Sequence, residues 1–178
     1  MGHEFARDTT ILEVGCATGS LSEYMVARGY DVTGVDASST MIAAAKSSKH
    51  NAEYHVANAN KLPFEDNVFD AVVSASLINI IPDKRKALAE MARVCKPGGI
   101  ISVYVPAQGF DTKSLQNLVS SRSITGFSET VLETWHNFAP KLDKQEVQTL
   151  FLEVGLTPRP AQEYLHGLVF SMAASKAI

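Results

Sequence analysis

The sequence predicts an α/β fold: a three-layer α/β/α sandwich around a mostly parallel sheet. Three observations carry this. Short apolar stretches alternate with stretches whose apolar residues recur at helical spacing, the order that parallel strands with crossover helices impose. The first such unit turns through Gly15 and Gly19, and an acid, Asp36, ends the next apolar stretch. Residues 69–75 (Phe-Asp-Ala-Val-Val-Ser-Ala) are apolar enough to be buried on both faces, as parallel strands usually are.

Taken in order, residues 10–14 read as a buried first strand. Leu21, Tyr24, Met25 and Arg28 fall at helical spacing, and Gly29 supplies the stop. Residues 32–35 make the second strand. Ser38 then caps a helix through Met41, Ile42 and Ala45, and residues 53–57 and 69–75 make strands three and four. Pro82 and Asp83 open a helix carrying Leu88, Met91 and Val94. The Pro-Gly-Gly of 97–99 ends it and turns into a strand at 100–105. Residues 107–141 break the rhythm, with Gly109, Gly126 and Pro140 interrupting polar stretches and a short helix at 131–138. Asp143 with Glu146 three positions on is a capping-box pattern. Val147, Leu150, Phe151 and Val154 then form one apolar face, Gly155 stops the helix, and 156–158 and 168–173 are the last two strands.

A chain of 178 residues suits one compact domain, 1–178, with a sizeable core. Its formal net charge of −3 gives no global attraction for nucleic acid or an anionic membrane. The basic run 84–86 reads as a solvated first helical turn. No apolar stretch reaches membrane-spanning length, since Asp70 interrupts the nearest candidate. Residues 1–7 lack the apolar segment of a secretory leader. Cys16 and Cys95 do not make a disulfide framework, and the five histidines show no metal-ligand spacing. The expectation is a cytoplasmic protein with reduced, structural thiols, no metal, no membrane span and no nucleic-acid partner.

Residues 11–19 (Ile-Leu-Glu-Val-Gly-Cys-Ala-Thr-Gly), followed about twenty residues on by Asp36, describe a βαβ unit that binds a nucleoside. Glycines let a ligand approach the backbone, and the acid at the second strand tip holds ribose hydroxyls. Ala17 takes the place of the middle glycine, and the spacing is not Gly-x-Gly-x-x-Gly. Alone, the motif says nucleoside without saying which.

Two further blocks follow in order: 58–64 (Asn-Ala-Asn-Lys-Leu-Pro-Phe) with 69–73, and 90–99 (Glu-Met-Ala-Arg-Val-Cys-Lys-Pro-Gly-Gly). Together with 13–19 they resemble the class I S-adenosylmethionine-dependent methyltransferases, in particular the small-molecule group that includes ubiquinone and menaquinone biosynthesis enzymes. The resemblance implies a Rossmann-like, mostly parallel seven-stranded sheet whose last strand inserts antiparallel, and 166–171 fits that place. It also implies S-adenosylmethionine as cofactor, S-adenosylhomocysteine as product, and a small-molecule methyl acceptor.

Carried over residue by residue, the cofactor site comprises Glu13, Gly15, Cys16, Ala17, Gly19, Asp36, Ala37, Met41, Asn58, Ala59 and Ser74. A side chain at Gly15 or Gly19 would fill space the cofactor needs. Glu13 orients either the methionine ammonium or the glycine loop, its plainer role being a helix or loop hydrogen bond. Asp36 accepts from both ribose hydroxyls, while Ala37 and Met41 flank the adenine. Asn58 departs from the family's aspartate but still accepts through its carbonyl oxygen, and the Ala59 amide reaches a ring nitrogen. Ser74, Ala75 and Ser76 lie where ligands gather at the carboxyl end of the fourth strand. Asn79 stands where relatives often carry histidine, so no base is assigned there. Asn79, Trp135 and His136 are the acceptor-side candidates, with His136 the remaining candidate base. Tyr24 and Tyr104 offer aromatic faces to positive charge or else belong to the core.

Three functional classes compete: methyl transfer, a non-catalytic methyltransferase fold that binds the cofactor or a partner, and a nicotinamide-dependent oxidoreductase. The spacing after Gly15 and the Leu-Pro-Phe and Lys-Pro-Gly-Gly blocks weigh against the last. Residues 107–141 are expected to close over the site as a lid that sets acceptor choice, with Phe127, Trp135, His136 and Phe138 forming an apolar pocket with one polar group. Little chain precedes the first strand, where the resembled enzymes often place covering helices. A homodimer partner covering the site is the alternative to a lid.

Overall fold

A computed structural model describes residues 6, 8–47 and 51–178. The stretch read above for a leader lies, but for Ala6, outside the described residues. Five parallel strands, β1 (Thr10–Val14), β2 (Asp31–Asp36), β3 (Glu53–Val56), β4 (Phe69–Ala75) and β5 (Cys95–Pro106), form most of the sheet. The last strand, β8 (Val169–Lys176), inserts antiparallel beside β5. The order is β3-β2-β1-β4-β5-β8-β6, so the chain reverses direction across the sheet between β1 and β4. The parallel, Rossmann-like reading with an antiparallel final strand holds.

The far edge differs from expectation. Eight strands fill seven positions, because the edge beside β8 is divided between β6 (Leu156–Pro158) and the short β7 (Gln162–Tyr164). Pro158 and Pro160 cannot donate to the ladder, so pairing lapses between the two pieces. The Arg159 amide bridges the gap, donating to the Ala173 carbonyl at 2.8 Å. The final strand also starts later than 166: Leu165 and His166 have φ of 51° and 57°, a left-handed turn that no strand continues through.

Side chains alternate between the sheet's two faces. On one, Leu12, Val14 and Val72 pack with Leu88 and Met91 of α3 (Lys84–Val94) and with Val147 and Phe151 of α6 (Lys144–Glu153). On the other, Ile11, Val32, Ala71 and Val73 pack with Met25 of α1 (Ser20–Val26). Each such fully buried large side chain contributes about 1.5–3 kcal/mol. Between β2 and β3 runs α2 (Ser39–Ser47), which buries Ile42 and Ala45 against Cys16 and Tyr54. The helix opened at Pro82 and Asp83 starts at Lys84 with Asp83 as its cap, accepting from the Lys86 amide at 3.0 Å. At α6 the Asp143 cap bond falls on the Gln145 amide (2.7 Å), one residue short of the capping-box position.

Residues 107–141 are more regular than their composition suggests. Two helices, α4 (Thr112–Ser121) and α5 (Phe127–Phe138), occupy most of the segment. Asp111 starts α4 by accepting from the Ser114 amide at 2.7 Å, and Leu115 and Leu118 anchor it against Phe110 and Leu168. The two ends of the segment meet. Ala107 forms an isolated bridge with Leu142, whose carbonyl accepts from the Gln108 amide at 2.8 Å and whose amide donates to the Pro106 carbonyl at 3.0 Å.

Candidate functional site

The carboxyl ends of β1 and β4 flank the point where strand order reverses, the place where ligands bind in open α/β sheets. Gly15 and Gly19 turn the chain there with φ of 81° and 86°. The space beside each is taken by protein rather than left for a ligand. A Cβ on Gly15 would lie 3.1 Å from the Leu77 side chain, and one on Gly19 would lie 2.8 Å from Cζ of the buried Tyr54 ring. The turn therefore needs glycine for its own packing and conformation. Gly19→Ala is expected to cost about 1–3 kcal/mol through left-handed strain and overlap with Tyr54. Gly15→Ala should cost less, because Leu77 is a flexible neighbour; urea unfolding of both variants checks the order.

Asp36 closes the turn from the tip of β2. One carboxylate oxygen accepts from the Ala17 amide at 3.0 Å and the other from the Ser38 amide at 2.8 Å. The helix cap is a separate residue, since Ser38 Oγ accepts from the Met41 amide at 3.3 Å. Each Asp36 oxygen takes one of these two backbone N–H groups, and the half-buried carboxylate keeps further lone pairs. Ala37 and Met41 stand exposed beside it. Ala17 is held at φ 47°, which accounts for a small residue in the middle of the turn.

Glu13 is buried one residue before the glycine turn's end of β1, and its carboxylate accepts from Ser22 Oγ of α1. Burial pushes its pKa up to about 7, only partly offset by the Ser22 hydrogen bonds. Of its two expected roles, this contact is the plainer one: it ties strand to helix across the turn. Burial together with the Glu13 and Asp36 charges pushes the Cys16 thiol up to about 12, so it stays protonated and packs with Ile42, Ala45 and Tyr54.

On the β3 side, Asn58 is exposed and its Oδ1 accepts from the Asn60 amide at 2.9 Å, shaping a turn that buries Ala59. The loop beyond it is clamped from α3. Glu90 accepts from the Leu62 amide at 2.7 Å, and Arg93 donates to the carbonyls of Leu62 (3.0 Å) and Phe64 (2.8 Å) and to Asp66 (2.8 Å).

At the end of β4, Ser74 is buried with its hydroxyl unpartnered, and Ser76 turns the chain at φ 56°. The loop it begins forms one wall of a cavity of about 660 Å³. That wall is Ser76, Asn79 and Ile80; the facing wall is α5 through Phe127, Thr130, Val131, Thr134, Trp135 and Phe138, closed by Ala139 and Pro140. The spacing 127, 130, 131, 134, 135, 138 is one helix face. Asn79 and Trp135 thus come together as anticipated, with Phe127 and Phe138.

His136 does not join them. A residue beside Trp135 on a helix points about 100° away, and His136 is buried edge-on against Phe110 with ring centroids 5.6 Å apart. Its burial and the nearby Lys141 charge lower its pKa, and its Nδ1 has no hydrogen-bond partner. Tyr24 does not line the cavity either and stacks under the Arg28 guanidinium at 3.3 Å, while Tyr104 leans on Tyr164 at 6.2 Å. Sequence reasoning passed over Ser22, Tyr54, Leu77 and the Glu90–Arg93 clamp. The Arg93 within the 90–99 block carried a signal for the clamp, but the others announce themselves only in three dimensions.

The methyltransferase domain family matches residues 12–103, just over half of the chain, which takes in both glycines, Asp36, the clamped loop and β4. A demethylmenaquinone methyltransferase of Renibacterium salmoninarum is 39% identical over 93 residues, covering 52% of this chain and 39% of its own length. A malonyl-[acyl-carrier protein] O-methyltransferase of Salmonella typhimurium is 33% identical over 108 residues, 61% of this chain and 42% of its own length. The chain therefore spans less than half the length of these two relatives. Among solved structures, a SAM-dependent methyltransferase of Methanosarcina mazei superposes with a TM-score of 0.74 at 24% identity, over 98% of this chain and 95% of that one. With the reversal of strand order, the glycine turn and the acid at the tip of β2 all falling within the matched region, this chain belongs to the methyltransferase domain family.

Proposed function

We propose that this chain binds S-adenosylmethionine in the crevice between β1 and β4 and passes its methyl group to a small-molecule acceptor. The observation that carries the reading is the Asp36 carboxylate, half-buried at the tip of β2, which spends one acceptance per oxygen on the Ala17 and Ser38 amides and keeps spare lone pairs. That acceptor set fits the two donating hydroxyls of a ribose diol. The Gly15–Gly19 turn would approach the amino-acid portion, Ala37 and Met41 would flank the adenine, and the Asn58–Ala59 turn, held by Glu90 and Arg93 through the following loop, would meet its edge. Glu13 and Cys16 would shape the turn from behind, and Ser74 would sit beneath the reacting centre.

When bound, S-adenosylmethionine supplies a methyl group on a positively charged sulfur, which an acceptor lone pair displaces in line while the bonding pair leaves with sulfur. The chain's own contribution is positioning and exclusion of water, which together supply much of the acceleration in such displacements. Residues 107–141, carrying α4 and α5, would cover the acceptor side and set its choice. No ionisable side chain lines the cavity among the described residues, so the wall offers no base. That same feature favours, as a second reading, a methyltransferase fold that binds the cofactor without transferring the methyl group.

Calorimetry should show binding of S-adenosylmethionine and S-adenosylhomocysteine and none of NAD. Tight NAD binding with neither sulfur nucleoside bound would overturn the proposal. Labelled methyl transfer to members of a small-molecule panel separates the catalytic reading from the second.

A further inference from the structure

The α5 cavity selects its ligand by what its walls lack and by one atom they hold. Thr130 and Thr134 supply its polar margin on α5, and no carboxylate, ammonium, guanidinium or imidazole lines it among the described residues. A charged ligand would leave water without gaining a counter-charge, at a cost of several kcal/mol per ion. The aromatic residues Phe127, Trp135 and Phe138 instead offer flat apolar surface. Phe127 and Phe138 are 84% and 81% exposed, so two large apolar side chains stand at the rim with little of their own surface covered.

Asn79 supplies the atom. The residue is only 5% exposed, its Nδ2 donates to the Pro140 carbonyl at 3.0 Å, and its Oδ1 is buried with no partner. A buried acceptor left unpaired costs about 1–3 kcal/mol, which a ligand donor would recover once a small shift of the Asn79 wall opens this enclosed atom to the cavity. The Pro140 bond fixes which end of the amide is free. The cavity also adjoins the crevice: Ser76 lines it, and the next residue, Leu77, packs within 3.1 Å of the Cβ position of Gly15.

We propose that this cavity binds an uncharged, aromatic or otherwise apolar small molecule carrying an N–H or O–H group that donates to Asn79 Oδ1. Resting on the function proposed above, that molecule is the methyl acceptor, and carboxylates and phosphates are rejected. Its neutral nitrogen or oxygen lone pair forms the new bond to carbon, and the C–S pair leaves with sulfur. The proton of the resulting cation passes to bulk water, because no base lines the cavity among the described residues.

The chain has a single tryptophan, Trp135, so its one indole N–H resonance reports the cavity directly. Titration with carbazole, with its near-isostere dibenzofuran (oxygen in place of N–H), and with dibenzofuran-4-carboxylate tests each part. Carbazole should shift the Trp135 resonance saturably and bind about tenfold tighter than dibenzofuran. The carboxylate should not bind. Asn79→Leu should erase the carbazole preference. Phe138→Ala, at an exposed position that the fold does not depend on, should weaken both neutral probes. Thr134→Asp should abolish carbazole binding while S-adenosylmethionine affinity, read by calorimetry, stays unchanged.

Equal binding of the carboxylate, equal binding of carbazole and dibenzofuran, or no saturable shift with any probe would overturn the proposal. So would a dimer in sedimentation that Phe138→Asp dissociates, since a second copy would then fill the groove. Carbazole binding without S-adenosylmethionine binding would support the cavity's ligand class and defeat the methyl-transfer reading. The reverse result would spare that reading and defeat this one.

Discussion

Asp36→Ala is expected to weaken S-adenosylmethionine binding by about 30- to 1000-fold. Hydrogen bonds to a charged group contribute about 1.5–3 kcal/mol each, and desolvation offsets part of two of them, leaving a loss of roughly 2–4 kcal/mol. The structure adds a second source of loss. The same carboxylate holds the Ala17 amide at 3.0 Å and the Ser38 amide at 2.8 Å, so its removal also releases the middle of the glycine turn. Asp36→Asn separates the two, because an amide oxygen still accepts one bond but carries no charge. It should fall between wild type and alanine in affinity. Calorimetry on variants shown to be folded by circular dichroism decides the matter, and unchanged affinity in a folded Asp36→Ala protein would remove this residue from the ribose site.

The second large effect is on stability rather than binding. Glu13 has its pKa raised by burial from 4.5 to about 7. A carboxyl that binds its proton more tightly when folded favours folding while it is protonated. Its contribution is fully present below pH 4.5 and is lost as pH rises to about 7, above which the curve is level. The full difference is about 3 kcal/mol. Glu13→Gln keeps an oxygen to accept from Ser22 and cannot ionise. The variant should match wild type near pH 4 and exceed it by about 3 kcal/mol at pH 8 in urea unfolding. Asp70 acts in the opposite sense and in another window. Its burial is outweighed by the Lys96 and Thr10 contacts, which hold its pKa at about 2, so its contribution is lost only as acid protonates it. The wild-type minus variant difference cancels that term and isolates Glu13. Parallel curves for the two proteins from pH 4 to pH 8 would show that Glu13 ionises in the folded state as it does in the unfolded one.

Much of the frame was legible because period carries it. The alternation of Ile11 and Leu12 to opposite faces, the helical spacing of Leu88 and Met91, and the acid closing β2 each follow from local pattern. What escaped is what pattern does not encode. The α4 helix hid behind a polar composition, though Asp111 with Ser114 is a cap and Leu115 with Leu118 a buried stripe. His136 and Trp135 are neighbours in sequence, yet packing against Phe110 decides that only one faces the cavity. Tyr54 behind Gly19 and Arg93 beneath Leu62 act across about thirty residues of chain, a separation over which sequence spacing says nothing of distance. Asn58, read from resemblance as an adenine contact, spends its Oδ1 on its own turn in this structure.

The pairing of Ala107 with Leu142 bears on how such a protein changes over time. An excursion whose two ends are fastened side by side can be rewritten, lengthened or exchanged without disturbing the strands that carry the crevice. Each doubling of such a loop costs only about 0.6 kcal/mol in closure entropy. The excursion contains α5, and hence the larger part of the cavity wall, and lies beyond residue 103, where the family match ends. On the function proposed above, a cavity wall carried by such an excursion is a cassette that can be exchanged while the strands of the crevice stand still.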